Sequence, residues 1–320
     1  MKAAVVTDFS LPPRYDEFPE PTASGEHELV VDVLAAGLHP RVRSQASGSH
    51  YTSTGSLPMV PGVDGVGRDE RGRLRYFVLD EPTLGAMAER TVIDARRSIV
   101  LPDDADPVQI AAAVNPVLSS WLALKNRAGF QPGQSVLVLG ATGSAGRMSV
   151  QVARHFGAGR VVVAGRNAER LALAAAAGAQ ASVSVLGDDD AVADAIAREA
   201  ADVDVVLDYV WGPLTTLAMT ALITARPDRG KPLTWVEIGS VGGGTAGIPS
   251  AALRSSKLSL VGSGQGSVGA AEIVAELPAM AAAIAAGDFS LDATTVPLAE
   301  VERAFADPSL VEARVVIVPR

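Results

Sequence analysis

Three closely spaced glycines follow a short apolar run, and this is the part of the sequence best suited to chemistry. Residues 135–139 read Ser-Val-Leu-Val-Leu and lead into Gly140, Gly143 and Gly146, after which a helix-compatible segment extends to residue 156. This order of strand, glycine-rich turn and helix start lets the backbone approach a pyrophosphate closely and points helix N–H groups at its charge. The context therefore predicts a dinucleotide-binding turn. Its predicted binding residues are Gly140, Thr142, Gly143, Ser144, Ala145 and Gly146.

The residues after the next apolar run discriminate between the two nicotinamide nucleotides. Residues 161–164 are followed by Gly165, Arg166 and Asn167, at the place where NAD-binding folds carry an Asp or Glu. A guanidinium binds the 2′-phosphate of NADPH as a planar fork, whereas an acidic residue would repel it. We therefore predict NADPH as the cofactor, bound by Arg166 and Asn167, with Arg170 adding charge one helical turn later. The alternative is a solvated helix start that Asn167 caps.

Two later glycine-serine pairs follow apolar runs of the same kind. Because the carboxyl ends of parallel strands meet at one edge of a sheet, both pairs are predicted to face the nicotinamide ribose and carboxamide. Flexible glycine-rich loops are the alternative interpretation. The residues concerned are Gly239, Ser240, Gly262 and Ser263.

Composition excludes several other classes of function. The 320 residues carry a formal net charge of −9, which argues against nucleic-acid binding because phosphate contacts need clustered Lys and Arg. The absence of cysteine excludes thiolate zinc sites and disulfides. We find no signal-peptide pattern and no run of about 18 uncharged apolar residues, so we expect a cytoplasmic protein without a membrane span.

The predicted elements divide the chain into two kinds of structure. The first 110 residues are β-rich, with short strands at 2–7, 28–35, 74–79 and 89–93 and an irregular stretch at 37–67. Helices are predicted at 106–113 and 116–128. From residue 135 strands and helices alternate, which indicates a parallel sheet covered on both faces. A last strand at 314–318 is expected to rejoin the first part, with the active site in the cleft between the two.

The predicted fold class is accordingly α/β, with a Rossmann-type doubly wound parallel sheet domain and a mostly β catalytic domain. The catalytic domain is predicted to comprise residues 1–116 and, as its return helix and closing strand, residues 266–320. The NADPH-binding domain is predicted to comprise residues 117–265. Within the first domain, the charged stretch at 68–75 is interpreted as a solvated hairpin, and Asp64 as a residue that orders its own loop.

Several short segments in a fixed order resemble the medium-chain dehydrogenase/reductase superfamily, in particular its zinc-free quinone oxidoreductase branch. They are Ala-Ala-Gly-Leu-His-Pro at 35–40, Leu-Pro-Met-Val-Pro-Gly-Val-Asp-Gly-Val-Gly at 57–67, Gly-Ala-Met-Ala-Glu at 85–89 and Gln-Pro-Gly-Gln at 131–134. The resemblance covers nearly the whole chain. It implies that the β-rich domain is GroES-like, that the protein is an oxidoreductase and that it forms a homodimer. Residues 261–266 would then serve dimer assembly instead of contacting the nucleotide.

The same resemblance draws attention to His39 and Tyr51. Zinc-dependent members carry a cysteine at the position of His39 and a His-Glu pair at the positions of Val63 and Asp64, so no catalytic metal is expected here. The quinone reductase branch commonly carries asparagine in place of His39. Similar reductases carry a tyrosine where Tyr51 stands. Both residues are predicted to be catalytic: the Tyr51 phenol would stabilise the substrate oxygen, and His39 would donate to the nicotinamide or to a ribose hydroxyl.

The resulting hypothesis is an NADPH-dependent, zinc-independent reductase of quinones or α,β-unsaturated carbonyls. Without a metal to act as a Lewis acid, conjugate reduction is easier than reduction of an isolated ketone. The predicted partner is a small apolar carbonyl or quinone substrate, with no nucleic acid and no membrane. Two alternatives stay open: an NADPH-binding sensor without turnover, and a reductase of enoyl thioesters.

Overall fold

The chain forms two compact units in a computed structural model that describes residues 1–50, 53–79, 83–264, 266–289, 291–311 and 313–319. Unit 1 comprises Met1–Asn115 and Ala270–Arg320, and unit 2 comprises Pro116–Gly269. Unit 2 is therefore an uninterrupted segment inserted into the sequence of unit 1. The predicted domain boundaries, after residues 116 and 265, lie within four residues of these divisions.

The helices and strands carry the following bounds. The strands are β1 Lys2–Val5, β2 Arg14–Glu17, β3 Glu28–Leu38, β4 Asp64–Asp69, β5 Leu74–Val78, β6 Arg90–Asp94, β7 Ser98–Val100, β8 Ser135–Leu139, β9 Arg160–Gly165, β10 Ala181–Ser184, β11 Val205–Asp208, β12 Leu233–Glu237, β13 Leu258–Gly262, β14 Ala293–Pro297 and β15 Arg314–Val318. The helices are α1 Pro40–Ala46, α2 Pro107–Leu122, α3 Ser144–His155, α4 Ala168–Ala176, α5 Asp189–Ala200, α6 Pro213–Ala225, α7 Ser250–Ser255, α8 Ala270–Ala285, α9 Val301–Ala306 and α10 Pro308–Val311.

Unit 2 contains a parallel sheet. Its described strands lie in the order β10-β9-β8-β11-β12-β13, and every neighbouring pair is parallel. In register, Leu137 of β8 lies between Val162 and Val206, and all three are fully buried. Strands this apolar suit a sheet with helices on both faces. The order is that of a doubly wound dinucleotide fold, and the predicted fold class is confirmed.

Unit 1 is mostly β. Its larger described sheet runs β14-β15-β3-β4-β5-β7, with β6 also paired to β3, and β1 pairs separately with β2. The closing strand β15 lies antiparallel to β3, with Val316 opposite Gly37. The prediction that this strand rejoins the first part is therefore confirmed. The core of unit 1 is mostly aliphatic, as the low aromatic content of the sequence requires.

The prediction that residues 37–67 are irregular is wrong at both ends of the stretch. It contains α1, which begins at Pro40, and the first residues of β4. Pro40 stands at the first helical position, where its missing N–H costs nothing, so the proline that suggested a loop begins a helix. Strands β2, β7 and β14 were not predicted, because each is too short or too polar to show alternation.

Helix α2 joins what the sequence predicts as two helices. It continues through Pro116 without interruption and is followed directly by one π-helical turn, Ala123–Arg127. Val117 and Trp121 beyond the proline are buried, and burying them outweighs the one backbone bond that the proline removes. The helical stretch Pro107–Arg127 is long and apolar enough to cross a membrane, but two thirds of it is buried, as in a core helix of a globular protein.

The charged stretch at 68–75 does form a hairpin, between β4 and β5, but it is not simply solvated. Asp69 and Arg75 are buried, and Arg75 Nε donates to Asp69 Oδ2 at 2.8 Å. Arg73 Nε donates to the same oxygen at 2.9 Å, and Arg75 also reaches Ser98 Oγ at 3.0 Å. The charges therefore pair across the hairpin and fix its turn.

Candidate active site

The glycine turn after β8 is shaped for close approach of the backbone. Gly140 has φ of +89°, a region that glycine reaches without steric cost. A Cβ on Gly146 would collide with the carbonyl oxygen of Gly140, so only glycine lets the start of α3 pack against the end of β8. A Cβ on Gly143 would come no closer than 3.8 Å to that oxygen. The first N–H groups of α3 lack helical partners, and an anion suits them.

The end of β9 is tied to this turn. Asn167 caps α4, because its Oδ1 accepts from the backbone N of Arg170 at 3.0 Å. The Arg170 guanidinium in turn donates to the carbonyl of Thr142 at 3.2 Å. Gly165 has no room for a Cβ, which would meet the Thr142 side chain. Arg170 therefore holds the glycine turn itself, a role the sequence prediction did not include.

Arg166 differs from Arg170 in its surroundings. It follows the last residue of β9 and is exposed to solvent. Across the described parts of the chain, its guanidinium has neither an ion pair nor a hydrogen bond. Its planar fork is thus available to a ligand beside the glycine turn. The binding roles predicted for the glycine turn, Arg166, Asn167 and Arg170 stay predictions.

The loop after β11 packs against the glycine turn at Gly140. Asp208 is fully buried, and its Oδ1 accepts from the backbone N of Val210 and of Trp211, both at 2.9 Å. Its Oδ2 accepts from Thr215 and from Trp235 Nε1. This carboxylate holds the loop so that Tyr209 and Val210 lie against Gly140.

Tyr209 extends from this loop into a buried polar contact. Its hydroxyl lies 3.0 Å from Ser119 Oγ. Burial raises the pKa of Tyr209 to about 12, although nearby serine hydroxyls act in the opposite direction. The phenol is therefore neutral at pH 7 and acts as a hydrogen-bonding group in the packing of the loop.

The two glycine-serine pairs lie at the carboxyl ends of β12 and β13, on the same sheet edge as the glycine turn. The backbone N of Gly239 donates to the carbonyl of Asp208 at 3.2 Å, while Ser240 is exposed. The carbonyl of Gly262 already accepts from Arg127 Nε at 2.7 Å, and Ser263 is buried. At the end of β12, burial, and to a lesser extent the Asp208 charge, raise the pKa of Glu237. Contacts of these pairs with a nucleotide stay a prediction.

Unit 1 contains a buried array around His39 within its own fold. The imidazole Nε2 lies 3.1 Å from Asp64 Oδ1, and Tyr76 donates its hydroxyl to Asp64 Oδ2 at 2.8 Å. All three side chains are at most 4% exposed. Asp64 was predicted to order its own loop, which is wrong: it is the first residue of β4, and its two oxygens bond His39, which precedes α1, and Tyr76 of β5.

A buried arginine supports the same array. Arg314 Nε donates to the carbonyl of Ala112 at 2.6 Å, and its Nη2 reaches the carbonyl of Ala111 at 3.0 Å. Burial alone would raise the pKa of Asp64, but the hydrogen bonds from His39 and Tyr76 and the charge of Arg314 hold it below its ordinary value. The carboxylate is thus ionised at neutral pH. Tyr51, the other predicted catalytic residue, lies outside the described residues.

Sequence reasoning found the glycine turn but not its supports. Arg170 holds Thr142, 28 positions earlier, and in unit 1 the Asp64–Tyr76 pair holds His39; no local pattern marks these contacts. Asp208 carried the one available signal, since it is an acidic residue ending an otherwise apolar strand. No pattern indicated that His39 and Asp64, 25 positions apart, are hydrogen-bonded.

Comparison with known proteins identifies the family. The chain is 32% identical to a probable NADPH-dependent quinone reductase, tdiC, of Emericella nidulans, over 100% of both chains. The chain belongs to the medium-chain dehydrogenase/reductase superfamily, in its quinone oxidoreductase-like branch. This medium-chain reductase is an oxidoreductase enzyme. A profile of the zinc-binding dehydrogenase family matches its residues 145–285.

Solved structures of quinone oxidoreductases are similar to this medium-chain reductase. The quinone oxidoreductase of Thermus thermophilus, described also in complex with NADPH, is 28% identical, with a TM-score of 0.78 over 99% of this chain and 100% of that one. A mycobacterial quinone oxidoreductase has a TM-score of 0.82 at 22% identity over 100% of both chains, a likeness of fold.

Proposed function

We propose that this oxidoreductase reduces quinones or α,β-unsaturated carbonyls with NADPH and without a catalytic zinc. The observation that carries the proposal is Arg166, an exposed guanidinium without a partner in the described residues, at the end of the second parallel strand. In this fold that position meets the 2′ substituent of the adenosine ribose. The name of the Emericella relative and the NADPH complex of the Thermus enzyme support the same nucleotide.

The glycine turn fits the rest of the nucleotide. Gly146 lets the start of α3 pack against the backbone of Gly140 and Ala141, and the first turn of α3 offers N–H groups to the charge of a pyrophosphate. Arg170 and Asp208 fix the turn from two sides through Thr142 and the 209–211 loop. The turn is thus preorganised, so binding need not order it.

Zinc independence is proposed from the donor set. The described residues contain no group of three His, Cys, Asp or Glu side chains able to hold a metal, and the sequence has no cysteine. The two side chains at the positions where zinc-dependent members carry Cys and Glu are His39 and Asp64, and they are bonded to each other. Binding zinc there would first have to break a buried hydrogen bond.

NADPH supplies the hydride when bound. The chain must then supply a proton to the substrate oxygen, on which negative charge develops as the electron-poor carbon is reduced. We assign that donor role to the Tyr51 phenol, with water as the alternative. A phenol can both donate to that oxygen and stabilise its charge.

A panel of electron acceptors tests this function. Purified protein is mixed with NADPH and, in separate reactions, with quinones, enones, enoyl thioesters and simple ketones, while oxidation of NADPH is followed by absorbance. We expect quinones or enones to be reduced and simple ketones to be left unchanged, with no change after treatment with a zinc chelator. Tight NADPH binding without any turnover would instead favour a sensor, and thioester turnover alone would favour an enoyl-thioester reductase.

The assembly and location of the protein are proposed from its family. We infer a homodimer and a cytoplasmic protein from the resemblance to quinone reductases. Light scattering should give twice the mass of one chain. A single-chain mass at micromolar concentration would contradict the dimer.

A further inference from the structure

Trp211, three residues past the end of β11, has an unusual backbone conformation. Among the residues that the structure describes, it is the one non-glycine residue with a positive φ, +56°. This conformation brings Cβ too close to the following carbonyl oxygen, so it costs a bulky residue free energy that glycine would not lose. Residues strained in this way persist only where the surrounding structure fixes them, and they occur mostly at active sites and ligand clamps.

The backbone of Trp211 is fixed from two sides. Its backbone N donates to Asp208 Oδ1 at 2.9 Å, and this carboxylate is fully buried. On the other side, the backbone N of Gly242 donates to the carbonyl of Val210 at 2.7 Å. A Cβ on Gly242 would lie 2.9 Å from the carbonyl oxygen of Trp211, so the loops after β11 and β12 are in close contact. The positive φ is therefore a property of the whole loop and not of Trp211 alone.

The indole of Trp211 is partly buried, and its polar edge is open. Within the described chain, the side chain makes no hydrogen bond and no ring contact. Arg226 Nε is the one buried polar side-chain atom there without a partner, so the unpaired indole N–H must be open to solvent. Val210 and Leu214 pack against the apolar core of the sheet and α6, and Trp211 is not part of this cluster. Polar and ring contacts thus do not account for a tryptophan where the backbone favours glycine.

The loop that carries Trp211 lies beside the glycine turn of the same unit. A Cβ built on Gly140 would lie 2.9 Å from Val210 Cγ2 and 3.2 Å from Tyr209 Cβ, so both residues contact the first glycine of the turn. Strand β8, which ends at this turn, lies between β9 and β11 in the parallel sheet. In this fold the nucleotide crosses the carboxyl edge of the sheet with its pyrophosphate on the glycine turn. Trp211 therefore belongs to a loop that borders the bound nucleotide.

Given the proposed NADPH-dependent function, on which this inference rests, we propose that Trp211 is a further binding residue of unit 2. Its indole stacks against one of the two flat rings of the nucleotide, adenine or nicotinamide. The strain at Trp211 then has a use, because the loop holds an aromatic side chain at the edge of the nucleotide site. Both rings are flat and heteroaromatic, so the contact has the same chemistry with either of them.

The chemistry of an indole suits a ring of this kind. Aromatic side chains stack on flat bases in an offset arrangement, and removing such a side chain weakens binding by about five- to 150-fold. An indole on a fixed backbone loses little conformational freedom when the ring binds, which preserves this gain. NADPH and NADH carry the same two rings, so the contribution of Trp211 should be equal for both. Arg166, in contrast, is assigned to the phosphate that NADH lacks.

Calorimetry on variants of the full chain tests the stacked contact. W211L keeps an apolar side chain but removes the flat ring, and it should raise the Kd of NADPH and of NADH by the same factor, at least about fivefold. W211F restores a flat ring and should recover most of this loss. The control is W121F, which changes a buried tryptophan of α2 and should leave both Kd values unchanged.

Fluorescence of the wild-type protein gives a measurement that needs no folded variant. Of the three tryptophans, Trp121 and Trp235 are at most 4% exposed, so acrylamide should quench mainly Trp211. Saturating NADP⁺ should protect this emission from acrylamide, and W211F should lack the protected component. The fragment 2′,5′-ADP, which carries adenine but no nicotinamide, identifies the ring. Protection by bound 2′,5′-ADP assigns adenine, and protection by NADP⁺ alone assigns nicotinamide.

The outcomes separate the role of Trp211 from the proposed function. Emission that stays equally accessible to acrylamide in saturating NADP⁺ would overturn the stacked contact, and so would wild-type affinities in W211L. Equal losses in W211F and W211L would also overturn it, because a flat ring would then have no advantage. A loss for NADPH alone would point to the 2′-phosphate and not to a ring. A wild-type protein that binds neither nucleotide would instead overturn the proposed function itself.

Discussion

Two arginines at opposite ends of β9 differ in what surrounds them. Arg160, at the start of the strand, donates to the carbonyl of Glu199 at 2.7 Å and pairs with its carboxylate at 3.0 Å. Arg166, just past the other end, has no such partner in the described chain. A guanidinium already paired with a carboxylate gains little from a phosphate, whereas an unpaired one gains a bidentate contact.

Replacing Arg166 should affect one nucleotide only. R166A should weaken NADPH binding by about 1 to 2 kcal/mol, roughly five- to thirtyfold, because a charge-assisted contact is lost at a solvent-screened site. NADH affinity should change by less than about twofold, since NADH lacks the phosphate. Calorimetry with both nucleotides measures this, and R160A serves as the matched control. Equal losses for NADPH and NADH in R166A would contradict the assignment.

The buried ion pair in the β4–β5 hairpin predicts a pH-dependent stability. Burial alone would raise the pKa of Asp69, but the hydrogen bonds from Arg75 and Arg73 lower it to about 2 in the folded protein, against an ordinary value of 3.8. A carboxyl with a depressed folded pKa stabilises the fold above its unfolded pKa, and this contribution is lost as pH falls toward the folded value.

D69N should therefore destabilise the protein by about 1 to 2 kcal/mol at pH 7, and the difference from wild type should shrink between about pH 4 and pH 2. Urea unfolding at several pH values gives the free energy of unfolding for both proteins. D103N, at an exposed acid in a loop, is the control. A difference that stays constant down to pH 2 would show that the charge of Asp69 is not what stabilises the hairpin.

At the scale of elements, the glycine turn depends on the contact between the end of β8 and the start of α3. Gly146 lies where a side chain would meet the backbone of Gly140 and Ala141, and neither can move without disturbing the sheet. Gly143, three residues earlier, has space for a methyl group. Glycines of the same motif thus differ in how strictly each is required.

The two glycines should respond differently to alanine. G146A should lower the free energy of unfolding by about 1 to 3 kcal/mol, the usual cost of forcing an extra carbon into a packed backbone contact. G143A should lower it by less than about 0.5 kcal/mol. Thermal or urea unfolding without nucleotide measures both. Equal destabilisation by the two substitutions would contradict the packing described for α3.

Sequence pattern predicts elements well where burial is regular. Strands β8 to β13 are mostly apolar because helices cover the sheet, and the alternation with helices is visible without a structure. It fails where an element is short or begins at a proline, as for β2, β7 and α1. In those elements, pairing with distant strands rather than local propensity decides the conformation.

At the scale of the whole molecule, the chain order places unit 2 inside the sequence of unit 1. Unit 1 is completed only by the last 51 residues, through β15 and its pairing with β3. The sequence predicted this return because a fold that begins near residue 135 leaves β-rich chain before it and, after its last helices, a single closing strand at 314–318.

Contacts that close unit 1 were beyond prediction from sequence. Arg314 bonds a carbonyl 202 residues earlier, and Arg43 bonds one 262 residues later. Such pairs follow from the tertiary arrangement and leave no periodic trace in one sequence. Part of the candidate site was accordingly predictable: the glycine motif and the arginines after β9, but not the buried Asp208, the Arg170–Thr142 contact or the array around His39.

The most direct test of the account is the binding of the two nicotinamide nucleotides to the wild-type protein. Calorimetry at one pH and one ionic strength should show NADPH binding at least about tenfold more tightly than NADH, which corresponds to about 1.4 kcal/mol from the 2′-phosphate. Equal affinities, or binding of neither nucleotide, would contradict the assignment of Arg166 and the NADPH-dependent function built on it.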